Sequence, residues 1–467
     1  MNSIDDIRLF LDPKSVAVIG ANPNTGELAF NLVENLARWG YEGQVYPVNP
    51  AHSEVLGWKC YAEVGDIPAG VDLAVLVTPR TTIPDVIRQC GEKGVRAAVV
   101  VGQGFADAAD EEGRRLQDEL VEAGRRSGVR VLGPNTMGSL NPFADFSTSF
   151  LGLFDVQRRP IGVVSQSGLF FTNVGRMRLL GKAIDVGNAC DVDITEALDY
   201  FAQDPEVKVV VLHIEGVRDG RRFMEVARRA TRRKPVLALK TGRSEPSARA
   251  AVSHTGSLVG NDDVWNALFK QCGVVRADNL DELGDLAKAF LRLPLMKGRR
   301  VAAVSGSGGA GIMSIDACVE HGLQVADLSP ATRSRLQEMS PRWHRVGNPL
   351  DLWPLVMGSP ADVTKSLRTA LSLLLSDRQV DGVAFFGSAW FDGLSPSLAE
   401  VIADTADAFP DKPIALSLCE GVIYDIGAEE VARKLDEAGK ACVFSNPDDA
   451  LRALSRLAAY AEFLRGA

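Results

Sequence analysis

Short unbroken apolar runs alternate with longer segments of helical period along almost the whole chain. VAVIG (16–20), QVYPVN (44–49), LAVLV (73–77), AAVVVG (97–102) and VRVLG (129–133) predict strands. Segments between them, such as Ala29–Trp39 and Glu111–Ser127, predict helices. Unbroken apolar character means that both faces of a strand are buried, as in a parallel sheet. Regular βαβ alternation predicts a doubly wound, Rossmann-like α/β domain over residues 1–150. A second set follows the Pro- and Gly-containing stretch 141–160, with strands IGVVS (161–165), VKVVVLHIE (207–215) and PVLALK (235–240). It predicts a domain over 151–293. A third set follows PLMKGRR (294–300), with strands VAAVS (301–305), VDGVAFFG (380–387) and PIALSL (413–418), and predicts a domain over 294–467.

The second and third sets resemble each other. IGVVSQSG (161–168) parallels VAAVSGSGG (301–309), and KPVLALKTG (234–242) parallels KPIALSLCEG (412–421). Duplication of one α/β unit and chance recurrence of Ser/Gly turns are both open.

Composition narrows the class. At 467 residues the chain has room for roughly three domains of about 150 residues. With 46% apolar and 24% charged residues it reads as globular. The formal net charge of -9, without a basic stripe, argues against nucleic-acid binding. The densest basic run, Arg228, Arg229, Arg232, Arg233 and Lys234, falls at a helix end, where cations complement the macrodipole. Seven scattered cysteines, an odd count without metal-ligand spacing, predict a reducing compartment and no metal site. The acidic start MNSIDDIRLFLDPKS lacks the apolar core of a signal peptide, and runs such as Ala98–Val101 are too short for a bilayer. A cytoplasmic location is expected.

Five motifs carry candidate chemistry. In VAVIGANPNTGELAFN (16–31) a strand feeds a Gly turn and a helix, which suits a phosphate at the helix N-terminus. The dinucleotide fingerprint is missing, and the second strand ends in Val48-Asn49-Pro50 without the acid that holds a ribose. That disfavours a nicotinamide-dependent dehydrogenase and leaves another phosphate-bearing nucleotide, or a purely structural turn. Loops at Thr78-Pro79-Arg80, Gly102–Phe105 and Gly133-Pro134-Asn135 follow strands, where open parallel sheets bind ligands. The turn Ser165-Gln166-Ser167-Gly168 offers hydroxyls and N–H groups for an oxyanion, or a plain N-cap. Ser305-Gly306-Ser307-Gly308-Gly309 repeats it. Among five histidines, His254 lies in RAAVSHTGSLVG (249–260), a loop of neither strand nor helix period, whereas His213 sits mid-strand as a packed residue. Glu215 ends a strand and is placed either to orient an imidazole or to pair at the surface with Arg218 or Arg221.

Taken together, SVAVIGA, YPVNP, GPN (133–135), VSQSG, the stretch from YFAQDPEV to IEGVRDGRRF, KPVLALKTGR, SHTGSLVG and GNPLDL (347–352) resemble the α subunit of ADP-forming acetyl-CoA synthetase and, more broadly, the succinyl-CoA synthetase superfamily. The likeness runs from about residue 10 to residue 460. It implies a CoA-binding first domain, a succinyl-CoA synthetase-like flavodoxin domain with a phosphohistidine loop, and a second flavodoxin-like ligase-CoA domain. It implies His254 and Glu215 as the catalytic pair. Ser165, Gln166, Ser167 and Gly168 match its phosphate-binding helix start, and Ser305, Gly308, Gly309 and Ala310 match the second one. Gly20, Ala21, Asn22, Val48, Asn49, Pro50, Thr78, Pro79, Gly104, Phe105 and Asn135 fall in its CoA-contacting loops. The implied reaction converts acyl-CoA, phosphate and ADP into carboxylic acid, CoA and ATP. No ATP-grasp stretch is found, so the resemblance implies a separate ATP-grasp β subunit holding ADP/ATP and Mg²⁺, and a hetero-oligomer or dimer. Three further departures are Thr136 where the family often has Cys, a shortened stretch 176–190, and SGSGGAG in place of an Asn-containing turn. A non-catalytic CoA-binding or regulatory protein with the same fold is the alternative.

Overall fold

The computed structural model describes residues 3–26, 29–108, 110–154, 158–169, 171, 181–247, 261–357, 363–388, 397–419 and 428–466. They fall into two units, residues 1–284 and 285–467.

The first unit holds two sheets. In the first, five parallel strands run in the order Gln44–Val48, Ser15–Ile19, Leu73–Leu76, Ala97–Val100, Arg130–Leu132. In sequence terms this is 2-1-3-4-5, the flavodoxin-type order. Burial on both faces explains the unbroken apolar runs. Val16, Val18, Leu73, Val75, Ala97 and Val99 join a core shared with the second sheet. Their neighbours Ala17, Ile19, Ala74, Leu76, Ala98 and Val100 point into a separate core on the other face.

The second sheet has the order Val275–Ala277, Val236–Lys240, Val209–Ile214, Ile161–Ser165, Lys182–Asp185, Ser139–Asn141, Phe146–Ser147. The first five strands are parallel and the last two antiparallel. The boundary expected at residue 150 therefore falls beyond two strands that pair with the second sheet. These strands are tied back to the chain start, where the Asn141 side chain donates to Leu11 O at 3.0 Å.

In the second unit the order is Gln324–Val325, Arg300–Ser305, Gly382–Ser388, Ile414–Cys419, Cys442–Phe444, with Leu350–Asp351 also pairing with Arg300–Ser305. Its parallel strands again follow 2-1-3-4-5. All three sheets share this order, so it does not single out the second and third as a duplicated pair.

Helix ends are written locally. Glu111–Ser127 begins where Asp110 accepts from Gly113 N, has Glu111 and Glu112 in its first turn, Arg125 and Arg126 in its last, and stops at Gly128 with φ 70°. Arg228 and Arg229 fall in the last turn of Gly220–Thr231, as expected for the basic run. Among the described residues no helix is long and apolar enough to cross a membrane. Cys60, Cys90, Cys190, Cys272, Cys318 and Cys442 are free and buried.

Candidate active site

Candidate ligand residues gather at the carboxyl ends of both sheets in the first unit. In the first sheet the order reverses between Ser15–Ile19 and Leu73–Leu76, which opens a crevice at their carboxyl ends. Gly20 leaves the first strand at φ 93°, and a Cβ there would meet the Val77 carbonyl and Thr78 Cγ2 at 3.1 Å. Only glycine turns so close to the neighbouring strand. Gly20 N and Ala21 N both donate to Val48 O, and the Asn49 side chain donates to Ala21 O at 2.7 Å. The Asn22 carbonyl accepts from the Asn31 side chain at 2.8 Å, which ties the turn to the next helix cap. Pro50 and Pro79 are exposed beside them. The Thr78 hydroxyl is buried at this crevice without a hydrogen-bond partner among the described residues.

Gly104, at φ 92°, and Phe105 donate their N–H groups to Asp107. Asp107 also accepts from the Asn188 side chain, at 2.8 Å, beyond the second sheet's strand Lys182–Asp185. The Phe105 side chain is fully buried in the first sheet's core. Its ring is thus packing, and only its backbone is available to a ligand. Asn135, at φ 57°, donates its N–H to Gly102 O at 2.9 Å.

The second sheet delivers chemistry from four adjacent strand ends. In spatial order these are Lys240, Glu215, Ser165–Gln166 and Asp185. Ser165 and Glu215 flank the switch point. Ser165 Oγ donates to Ser167 O at 2.7 Å and accepts from Ser167 N at 3.0 Å. The Ser167 hydroxyl accepts from Leu169 N at 3.3 Å, and Met137 packs where a Gly168 side chain would stand. Gln166 Oε1 accepts both Glu215 N and Gly216 N, which fixes the Glu215 turn. Glu215 is only 8% exposed, so the reading of a surface glutamate is overturned. Arg218 reaches instead to Cys190 O at 2.9 Å.

Charge is unusual along this edge. Asp185 is fully buried, and burial pushes its carboxyl up to about 7, with the Glu215 charge adding to the rise. Met137 N at 2.7 Å and Gly187 N at 3.3 Å donate to it, and the Thr136 hydroxyl donates to the Asp185 backbone carbonyl. Burial, then the Lys240 charge, lowers His213 to about 4 and keeps it neutral. The His213 ring lies 3.4 Å from Ser165 Oγ and 3.1 Å from Thr241 Oγ1, so it is a packed residue of the sheet, as expected. His254 lies outside the described residues.

In the second unit Ser305 Oγ donates to Ser307 O at 2.6 Å, repeating the Ser165 turn. The helix Gly308–Glu320 starts at Ser307 without a side-chain cap, so its first N–H groups are open to an anion. Gly308, Gly309 and Ala310 form that first turn. Asp351 Oδ2 lies 3.5 Å from where a Gly308 side chain would stand, which brings a negative charge to the same end.

Comparison with known proteins fits this geometry. Family models described as a CoA binding domain, a succinyl-CoA ligase like flavodoxin domain and a Ligase-CoA domain match residues 14–142, 158–290 and 301–462. The α subunit of ADP-forming acetate–CoA ligase II from Pyrococcus furiosus is 36% identical over 465 residues, 98% of each chain. The chain belongs to the ADP-forming acetyl-CoA synthetase α-subunit family. The ADP-forming acetate–CoA ligase II of Archaeoglobus fulgidus is 38% identical over 82% of this chain, and the match spans 57% of that longer protein. The solved dinucleotide forming acetyl-coenzyme A synthetase 1 of Ca. Korarchaeum cryptofilum, in complex with phosphate and ADP, superposes with a TM-score of 0.87 at 30% identity over 99% of both chains. The α/β fold of this synthetase family, with its flavodoxin-like sheets, is the one described above.

Sequence reading missed two charged members of the row. Asp185 ends a strand, KAID, that is too short and polar to be read as one. Lys240 closes the unbroken apolar run PVLAL, and a lysine in that place is itself a signal of a buried cation.

Proposed function

We propose that this chain is the α subunit of an ADP-forming acyl-CoA synthetase, interconverting acyl-CoA, phosphate and ADP with a carboxylic acid, CoA and ATP. The observation that carries the reading is the pairing of Glu215 with the Ser165–Gly168 turn at a sheet switch point. The chain bearing it aligns end to end with a synthetase α subunit.

CoA lies along the Gly20–Asn22, Val48–Pro50, Thr78–Pro79, Gly104–Phe105 and Asn135 loops. Phosphate, held at Ser165–Gly168, attacks the thioester carbonyl. The C–S bond breaks, and CoA leaves as thiolate. A His254 ring nitrogen then attacks phosphorus, and the carboxylate leaves. Glu215 accepts the N–H of the other ring nitrogen, which fixes the tautomer and stabilises the charge that develops. ADP takes the phosphoryl group by breaking the N–P bond. An ATP-grasp partner holds ADP and Mg²⁺, and Ser305–Ala310 forms a second cradle for the phosphoryl group. The substrate is a small carboxylic acid, and the assembly is a cytoplasmic hetero-oligomer.

Labelling with terminally labelled ATP, in the presence of the ATP-grasp partner, tests the reading. Acid-labile, base-stable label that disappears in His254→Ala is expected. Label that survives His254→Ala overturns the assignment. CoA binding without any label points to a non-catalytic CoA-binding protein.

A further inference from the structure

In the proposed reaction the thioester and the phosphate stand at the ends of two different sheets, so their separation is set by whatever ties one edge to the other. The loop 185–190, which leaves the strand Lys182–Asp185, runs between them. Ser165 and Asp185 are register partners, and Val186 N donates to Ser165 O at 2.8 Å, which fastens the loop to the strand that carries the phosphate turn. Farther along, Asn188 N donates to Pro134 O at 2.9 Å and Cys190 N to Gly133 O at 3.0 Å, where the chain leaves the last strand of the first sheet. Gly187, at φ 51°, passes so close that a Cβ there would overlap the Pro134 carbonyl.

From this loop the Asn188 side chain reaches the CoA side. It is 7% exposed, and its amide donates to Asp107 Oδ1 at 2.8 Å and to Gln117 Oε1 at 3.1 Å. Asp107 also accepts Gly104 N at 2.9 Å and Phe105 N at 3.0 Å. Gln117, on the helix Glu111–Ser127, also accepts Ala106 N at 3.3 Å. Both protons of one buried amide are thus committed to the two side chains that close the Gly104–Ala106 turn. Asp107 and Gln117 close that turn by themselves. Asn188 adds the tie from the turn to the phosphate side, and its bond to the Asp107 carboxyl is of the strong, short kind.

We propose that Asn188 is a positioning residue that holds the Gly104–Phe105 loop in place against the Ser165–Gly168 turn, so that thioester carbonyl and attacking phosphate meet at a fixed separation. It touches neither reactant. Its effect falls on the step that uses both sheets, where a displacement of about 1 Å costs about a hundredfold in rate. This inference rests on the reading of the two loops as the CoA and phosphate sites.

The test compares wild type, Asn188→Ala and Asn188→Asp, each with the ATP-grasp partner, in three measurements. CoA affinity by calorimetry reads the first sheet. Labelling from terminally labelled ATP reads the second sheet. Labelling from acetyl-CoA and labelled phosphate needs both. Asn188→Ala should lower this last labelling at least about tenfold, while CoA affinity and labelling from ATP each change less than about threefold. Asn188→Asp keeps the shape but sets a second acid against Asp107, so its loss should equal or exceed that of Asn188→Ala. If neither variant folds, Gln117→Ala removes one of the two acceptors from a half-buried position, and should lower the two-sheet labelling at least about threefold more than CoA affinity. A loss equal in all three measurements, an Asp variant closer to wild type than the Ala variant, or no loss overturns the proposal. A wild type that takes label from neither donor sinks the synthetase reading instead. Hydrogen exchange at Gly104–Asp107 then decides the tie, which stands if exchange quickens in Asn188→Ala and falls if it does not.

Discussion

Gln166 Oε1 accepts the backbone N–H of Glu215 at 2.7 Å and that of Gly216 at 3.1 Å, so one side chain sets the turn that presents the carboxylate. Both N–H groups are buried. Gln166→Leu removes the acceptor and leaves them unpaired, at about 1–3 kcal/mol each. Denaturant unfolding should show that loss, and phosphoryl labelling should fall at least tenfold. CoA affinity, set at the other sheet, should hold. A labelling rate equal to wild type would mean that the turn is fixed without Gln166.

Gly20 marks the second candidate region. Gly20→Ala adds a methyl 3.1 Å from the Val77 carbonyl at a φ of 93° that a side chain resists. The expected cost is about 1–3 kcal/mol, part of it from crowding. The turn must shift, so CoA affinity by calorimetry should drop at least tenfold. Unchanged affinity would remove Gly20 from the CoA-binding loops.

How far these sites were legible depends on what each segment had to bury. Val16–Ile19 and Leu73–Leu76 lie between two cores, so their unbroken apolar runs announced parallel strands and, with them, the crevice at Gly20 and Thr78. Ser139–Asn141 is equally buried but satisfies Ser139 and Asn141 through the carbonyls of Phe10 and Leu11. Long-range bonds of that kind leave no periodic trace, so the pairing of these strands with the second sheet was not legible in the sequence. Phe105 follows a glycine loop and looked like a ligand contact, but its ring had a core to fill. Asp185 and Lys240 gain their chemistry from neighbours brought together by strand order, which one segment alone cannot encode.

Gly311 offers a check on the second unit. A Cβ on Gly311 would stand 3.0 Å from Pro349 Cγ and 3.2 Å from Ser305 Oγ. The helix Gly308–Glu320 therefore rests on the segment after Asn348, whose side chain bonds Val301 O, Ala326 O and Ala303 N. Gly311→Ala should destabilise by about 1–3 kcal/mol through overpacking. Calorimetry should show a lower unfolding midpoint. A variant as stable as wild type would mean that the helix shifts freely away from Pro349.

Asp185 should leave a signature in the pH dependence of stability. Burial raises its carboxyl to about 7 in the folded chain, against 3.8 when unperturbed. Between those values the folded chain binds a proton that the unfolded chain has released. Stability from this group is therefore full at low pH and is lost as pH rises toward 7. A shift of about three units corresponds to about 4 kcal/mol, an upper figure for a group that Met137 N and Gly187 N still hold when charged. Asp185→Asn resembles the protonated form and does not titrate. Relative to wild type, its unfolding midpoint should therefore rise steadily from pH 4 to pH 7.5, even if it is the less stable protein at pH 4. A constant difference across that range would mean that Asp185 titrates normally, and that the Glu215 side of the row carries less opposing charge than its neighbours imply.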